Sequence, residues 1–137
     1  MSAKRVLLVE DEELNRVLVR AIIARTTDPT VRDIELVEAP SLASARNQLQ
    51  TMDVDVILLD VNLPDGNGLT LASELAARVG ALRPRVVALT ASVLPHERAA
   101  AMTAGCDAFL DKPYAASQLV GVLAEQLHQA PPAPAGG

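Results

Sequence analysis

Four residues that are far apart in the chain have the types needed to bind a cation or a phosphoryl group. They are Glu10, Asp11, Asp60 and Lys112. Glu10 and Asp60 each directly follow a short run of apolar residues, Asp11 is next to Glu10, and Lys112 follows a run that ends in one acid. If these runs are neighbouring parallel strands, three carboxylates and one ammonium group meet at one edge of a sheet.

Such a group of carboxylates requires a positive partner. Two like charges about 4–6 Å apart cost on the order of 4 kcal/mol near a protein surface, and a small domain has only roughly 5–15 kcal/mol of stability. Lys112 supplies one positive charge. Carboxylate oxygens also suit a hard divalent metal, and Mg²⁺ fits best because it commonly takes one or two carboxylates, waters and phosphate oxygens. The motifs contain no neighbouring His or Cys, which disfavours zinc.

The elements that position these residues are predicted from five apolar, β-branched runs. The runs are at residues 5–9, 34–37, 56–59, 85–89 and 108–110. Continuous apolar character is typical of strands that are covered on both faces, as in a parallel sheet. The segments between the runs repeat apolar residues at three-and-four spacing, which indicates amphipathic helices. Ser41 is predicted to cap the second helix, and Gly105 to end the fourth.

The pattern is a strand followed by a helix, five times. It predicts an α/β protein with a doubly wound, five-stranded parallel sheet. Ligands of such sheets bind outside the carboxyl ends of the strands. Glu10, Asp11, Asp60 and Thr90 all lie at such ends.

Composition limits the function. The 137 residues fit one domain, predicted at residues 1–128, followed by a disordered Pro/Ala/Gly tail or linker at 129–137. The net charge of −5, with no run of Lys or Arg, argues against a nucleic-acid-binding surface. We detect no signal peptide and no membrane span, and the single cysteine fits a reducing compartment, so we expect a cytoplasmic protein.

Other polar residues have simpler interpretations. His96 and His128 lie on predicted helices, where a solvated or capping histidine is expected rather than a metal ligand. Cys106 is interpreted as a small buried residue without a redox role. The turn-prone segment 65–68 is predicted to be a flexible loop beside the site.

Four segments carry most of these polar residues. They are VLLVEDEELNR at 6–16, DVILLDVNLPDGNGL at 55–69, ALTAS at 88–92 and FLDKP at 109–113. In this order they resemble the receiver domain of bacterial two-component response regulators, over roughly residues 4–128. The resemblance implies a flavodoxin-like (βα)5 fold with strand order 2-1-3-4-5.

The resemblance also implies a role for each acid. Asp60 would be the phosphoacceptor, taking a phosphoryl group from a phosphohistidine of a sensor kinase. Glu10, Asp11 and Asp60 would bind Mg²⁺, directly or through water, with the backbone carbonyl of Asn62 as a further ligand. Glu10 stands where the family most often has Asp.

The remaining implied roles concern the switch. Lys112 would pair with one phosphoryl oxygen, and Thr90 would hydrogen-bond another. Phe109 matches the position whose ring turns inward when the Thr90 equivalent engages phosphate, which would alter the surface made by the fourth helix, fifth strand and fifth helix. The resemblance also makes Lys112-Pro113 a candidate cis peptide bond.

Three classes of function remain open. The first is a phosphorylatable signalling domain that only phosphorylates itself from a donor and slowly dephosphorylates. The second is a Mg²⁺-dependent phosphatase of the haloacid dehalogenase type, which Asn62 disfavours because such enzymes carry a general acid there. The third is a binding module that needs no phosphorylation, which retention of Asp11, Asp60, Thr90 and Lys112 disfavours.

The resemblance leaves the context open as well. We expect a stand-alone regulator, with the receiver module of a hybrid histidine kinase as the alternative. The expected partners are a sensor histidine kinase or phosphotransfer protein and a downstream protein. We expect no nucleic acid and no membrane partner, and either a monomer or a phosphorylation-dependent dimer.

Overall fold

A computed structural model of the chain describes residues 4–78, 83–91 and 94–128. The strands are β1 Arg5–Val9, β2 Glu35–Ala39, β3 Val56–Asp60, β4 Asn62–Leu63, β5 Gly66–Asn67, β6 Arg85–Thr90 and β7 Ala108–Asp111. The helices are α1 Glu13–Arg25, α2 Pro29–Arg32, α3 Leu42–Thr51, α4 Leu69–Ala76, α5 Pro95–Thr103 and α6 Ala116–His128. The predicted tail at 129–137 lies outside the described residues.

Five strands form one parallel sheet in the order β2-β1-β3-β6-β7. This is the predicted order 2-1-3-4-5, because β4 and β5 pair only with each other in a separate antiparallel hairpin. The predicted doubly wound fold is confirmed. β3 lies at the centre, so its end faces the ends of both β1 and β6.

The sheet is covered on both faces, which explains why its strands are apolar at successive positions. Leu7, Ile57 and Leu59 pack on one face, among buried residues from α3, α4 and α5. Leu8 and Leu58 pack on the other face, among buried residues from α1, α2 and α6. All five of these strand residues are fully buried. The carboxyl edge of the sheet is therefore fixed between two packed layers.

The helix boundaries agree with the predicted signals. The Ser41 hydroxyl accepts the Ser44 N–H at 3.1 Å and caps α3. The chain leaves α5 at Gly105, whose φ of +104° is accessible to glycine. The Lys112-Pro113 peptide bond is cis, as predicted. Within the described residues, no helix combines the length and apolar character that crossing a membrane requires.

Part of the segment predicted to be a flexible loop, residues 65–68, forms regular structure. Residues 62–67 form the β4–β5 hairpin, and the Asp65 carboxylate accepts the backbone N–H groups of Leu42 and Ala43 at 3.0 and 3.1 Å. These two hydrogen bonds lower the pKa of Asp65. Asp65 therefore ties the hairpin to the start of α3, because a carboxylate there satisfies N–H groups that the helix leaves open.

Candidate functional site

The three acids meet at the carboxyl edge of the sheet. One carboxylate oxygen from each of Glu10, Asp11 and Asp60 lies within 4.8 Å of the other two. The cause is the parallel pairing of β1 with β3, which sets Val9 beside Leu59 and brings together the residues that follow them in the two strands. Glu10 and Asp60 are only 2% and 6% exposed, whereas Asp11 is open to solvent. Two of the three charges are thus removed from bulk water.

Lys112 supplies the positive charge in this cluster. Its Nζ lies 3.0 Å from Asp60 Oδ2 and 3.1 Å from Glu10 Oε1. Its backbone N–H donates to the Thr90 carbonyl at 2.7 Å, which fixes the chain after β7 against β6. Burial opposes the charge on Lys112, but the hydrogen bonds and charges of Asp60 and Glu10 outweigh it and raise the pKa of the ammonium group. The predicted meeting of Lys112 with the acids is confirmed.

Asp60 is held on both of its oxygens. Oδ2 binds Lys112, and Oδ1 accepts the backbone N–H of Asn62 at 3.0 Å. Gly68 lies against its backbone: a Cβ at position 68 would be 2.3 Å from the Asp60 carbonyl oxygen. The Gly68 N–H also donates to the Val61 carbonyl at 2.7 Å. The sequence signal for Gly68 was the turn-prone segment, but its contact with Asp60 was not predicted.

A second set of contacts, also not predicted, holds Glu10. Asn15 Nδ2 donates to Glu10 Oε1 at 3.0 Å, and the Glu12 N–H donates to Oε2 at 3.3 Å. Arg16 Nη1 donates to the backbone carbonyls of Glu10 and Asp11 at 2.9 and 3.1 Å. All three donors belong to α1 or to the turn before it. Nothing in the local pattern separates them from ordinary polar residues of an amphipathic helix.

Thr90 and Phe109 lie on the other side of the same edge. Thr90 ends β6 and is 8% exposed. Both residues line a cavity of about 530 Å³ between the strand ends and α5. The guanidinium carbon of Arg98 lies 5.6 Å from the centroid of the partly buried Phe109 ring, and Arg98 also pairs with Asp111. The cavity therefore lies between the predicted phosphate sensor and the predicted switch ring.

Three residues that were interpreted as outside the site are not part of the acidic cluster. His96 is exposed on α5 beside Glu97, and His128 Nε2 contacts the Thr30 hydroxyl at 3.2 Å. Cys106 is 4% exposed. Burial, together with the charge of Asp107, raises the pKa of its thiol to about 11.

Comparison with known families gives a match over most of the chain. The model of the response regulator receiver domain matches residues 6–124. This range contains every residue of the acidic cluster, as well as Thr90 and Phe109.

Two curated relatives differ in length. The chain is 32% identical to the aerobic respiration control sensor protein ArcB of Escherichia coli over 124 residues, which cover 90% of this chain and 15% of that protein. It is 29% identical to the polar-differentiation response regulator DivK of Brucella ovis over 127 residues, which cover 93% of this chain and 98% of that protein. The chain thus spans a small part of the first relative and nearly all of the second.

A solved structure with the same fold is the receiver domain of sensor histidine kinase PA1611 from Pseudomonas aeruginosa. The TM-score is 0.77 at 24% identity, with 93% of this chain and 100% of that chain covered. That protein is described with a magnesium ion coordinated in its active-site cleft.

Proposed function

The chain belongs to the response regulator receiver domain family, and from that premise we propose that Asp60 is the phosphoacceptor of a two-component signalling pathway. The observation that carries the proposal is the position of the Asp60 carboxylate. It is nearly buried at the end of the central strand, within 4.8 Å of two further carboxylate oxygens and 3.0 Å from an ammonium group. A carboxylate in this position can act as a nucleophile toward a phosphoryl group whose negative charge is neutralised by nearby cations.

The proposed reaction is transfer of a phosphoryl group from a phosphohistidine to Asp60. A carboxylate oxygen forms the new bond to phosphorus as the bond from phosphorus to the imidazole nitrogen breaks, and the electron pair returns to the imidazole. Phosphoryl transfer needs positioning and neutralisation of charge on the equatorial oxygens. Lys112 neutralises one oxygen, and the Asn62 N–H orients the nucleophile. Thr90 hydrogen-bonds a second phosphoryl oxygen after transfer.

We propose Mg²⁺ as the cofactor, bound by Glu10, Asp11, Asp60 and the backbone carbonyl of Asn62. All the side-chain donors are carboxylate oxygens, which this ion prefers. One oxygen from each carboxylate lies within 4.8 Å of the other two, so these residues would hold one ion together, directly or through water. Glu10 suits the water-mediated position because Asn15, Glu12 and Lys112 already donate to its oxygens. When bound, the ion would supply positive charge to the phosphoryl oxygens.

The proposed output is a change of surface. When Thr90 engages the phosphoryl group, the Phe109 ring turns into the cavity of about 530 Å³ that both residues line. This movement alters the face formed by α5, β7 and α6, to which a downstream protein binds. The phosphodonor is a sensor histidine kinase or a phosphotransfer protein.

We further propose that the domain does not turn over an external substrate. Asn62 lies two residues after Asp60, where an amide cannot donate a proton as a general acid would. Self-phosphorylation and slow loss of the phosphoryl group are the expected reactions. A flat time course with p-nitrophenyl phosphate would agree, whereas sustained release of p-nitrophenol would contradict this assignment.

Intact-mass spectrometry tests the proposal. With acetyl phosphate and Mg²⁺, the wild-type chain should gain the mass of one phosphoryl group, and chelation of Mg²⁺ by EDTA should prevent the gain. Asp60→Asn should show no gain under either condition. Persistence of the added mass in Asp60→Asn would exclude Asp60 as the acceptor.

A further inference from the structure

Arg16 contacts the backbone that carries the two acids, rather than the acids themselves. A single guanidinium nitrogen, Nη1, donates to the carbonyls of both Glu10 and Asp11, at 2.9 and 3.1 Å. These residues form the turn between β1 and α1, and Arg16 lies in the first turns of α1. The side chain therefore folds back over the turn from which two carboxylates project.

The carboxylates of this turn repel each other and the carboxylate of Asp60. The Glu10 and Asp11 carboxylates have oxygens within 4.8 Å of each other and of Asp60, so repulsion pushes the turn away from the end of β3. Lys112 contacts Glu10 and Asp60. Among the contacts of the described residues, none joins Lys112 to Asp11. The backbone at Asp11 needs another restraint, and a charge-assisted hydrogen bond to its carbonyl provides one.

Arg16 is itself oriented by β2. Its Nε lies 3.5 Å from Glu38 Oε1, and its side chain is only 19% exposed. Glu38 pairs with Leu8 across β1 and β2, so its carboxylate is fixed to the sheet. Two sets of contacts thus link β2 to the acidic edge of the sheet: Glu38 with Arg16, and Arg16 with the carbonyls of the turn.

We propose that Arg16 is a positioning residue that presents Glu10 and Asp11 to the divalent cation. The inference rests on the proposed function, since it concerns the same cation site. Groups that orient metal ligands without touching the metal commonly change its affinity 10- to 100-fold when they are removed. Arg16 acts through backbone carbonyls, so its loss lets the turn relax away from Asp60.

Arg20 offers a matched control. It lies on the same helix and its Nε contacts the other oxygen of the same Glu38, at 3.0 Å. Arg20 makes no hydrogen bond to the turn among the contacts of the described residues. Arg20→Gln and Arg16→Gln therefore remove the same charge from the same partner, but only Arg16→Gln releases the two carbonyls.

The two possible roles of Arg16 predict opposite changes in Mg²⁺ affinity when it is replaced. If Arg16 acts only as a nearby positive charge, Arg16→Gln should tighten Mg²⁺ binding, because a cation repels a cation. If Arg16 positions the turn, Arg16→Gln should weaken Mg²⁺ binding. Arg20→Gln reports the charge effect alone, which screening by salt keeps small at an exposed site.

The test is the Mg²⁺ dissociation constant, measured on the unphosphorylated chain by isothermal titration calorimetry or by amide chemical shifts. We expect an increase of about 10-fold for Arg16→Gln and a change below about twofold for Arg20→Gln. The initial rate of phosphorylation by acetyl phosphate should require more Mg²⁺ in Arg16→Gln, with the rate at saturating Mg²⁺ largely restored. Arg16→Lys, which keeps the charge, should show a smaller increase and replaces Arg16→Gln if that variant does not fold.

These measurements distinguish a failure of the role proposed for Arg16 from a failure of the proposed Mg²⁺ site. An unchanged or lower dissociation constant in Arg16→Gln, or equal increases in Arg16→Gln and Arg20→Gln, would overturn the role of Arg16 while leaving the cation site intact. Failure of the wild-type chain to bind Mg²⁺ would overturn the proposed function, and the role of Arg16 with it.

Discussion

Lys112 Nζ lies 3.0 Å from Asp60 Oδ2, although the two residues are 52 positions apart in the chain. The same nitrogen lies 3.1 Å from Glu10 Oε1. One ammonium group thus offsets two nearly buried carboxylates that would otherwise repel each other. Any cation or phosphoryl group that reaches Asp60 enters a site in which Lys112 already contacts that carboxylate.

Removal of Lys112 should destabilise the domain and make its stability depend more strongly on Mg²⁺. Lys112→Met leaves Glu10 and Asp60 buried without their shared partner, so we expect a loss of about 1–3 kcal/mol in the free energy of unfolding. Added Mg²⁺ should restore more stability in this variant than in the wild type. Urea denaturation with and without Mg²⁺ measures both effects.

The contribution of Lys112 to stability should also depend on pH. Because the pKa of Lys112 is raised above 10.5, its contribution should be complete below that pH and lost only as the pH rises through the raised value. Lys4→Met removes a lysine that lies 4.0 Å from Asp55 with both side chains exposed, and should change stability by less than about 1 kcal/mol. Equal effects of the two substitutions would contradict the assigned role of Lys112.

Substitution of Gly68 should disturb Asp60 through the backbone. A Cβ at this position would lie 2.3 Å from the Asp60 carbonyl oxygen, so the strand end or the start of α4 must move. We expect Gly68→Ala to cost about 1–3 kcal/mol and to slow phosphorylation by acetyl phosphate. Chemical denaturation and intact-mass kinetics give the two values.

Gly121 provides the control for a glycine in a helix. A Cβ there meets nothing within 4 Å, so Gly121→Ala should stabilise α6 by about 0.5–1 kcal/mol and leave phosphorylation unchanged. A Gly68→Ala variant as stable and as reactive as the wild type would show that the close approach to Asp60 has no consequence.

Release of Arg98 should favour the inward position of Phe109. The guanidinium group lies over the ring and pairs with Asp111, and both contacts favour the present position of the ring. A cation–π contact at an exposed site is worth about 0.5–1 kcal/mol, so Arg98→Ala should speed phosphorylation by acetyl phosphate about two- to fivefold. Slower or unchanged kinetics, with an unshifted Phe109 ring signal in NMR spectra, would contradict a restraining role.

Cys106 should be chemically inert in the folded chain. Burial and the charge of Asp107 raise its thiol pKa to about 11, so the thiolate should form only as the pH approaches that value. Alkylation by iodoacetamide at pH 8 should be much slower in the folded chain than in urea. Equal rates in both would show that the thiol is accessible in the fold.

The fold and the central residues could be predicted because their signals are local. Apolar runs mark strands such as β3, and the strand and helix alternation predicts a parallel sheet. The pairing of β1 with β3, which places Asp60 beside Glu10 and Asp11, came from the strand order that the family resemblance implied. The position of Lys112 needed the order of all the strands, which the family resemblance supplied.

The supporting contacts could not be predicted because they depend on side-chain direction. Arg16 reads as one polar residue of an amphipathic helix, and only the three-dimensional turn shows its guanidinium over two carbonyls. The cap that Asp65 provides for α3 joins residues 23 positions apart. α2 is a single turn that begins with the Asp28 cap and Pro29, too short for a hydrophobic period.

The chemical identity of the phosphorylated residue directly tests whether Asp60 is the phosphoacceptor. Borohydride reduction converts an aspartyl phosphate to homoserine, so peptide mapping after reaction with acetyl phosphate and Mg²⁺ locates the acceptor. We predict homoserine at position 60 and aspartate at position 11. Homoserine at another position, or a stable phosphoryl group on a serine or threonine, would contradict the assignment of Asp60 as the phosphoacceptor.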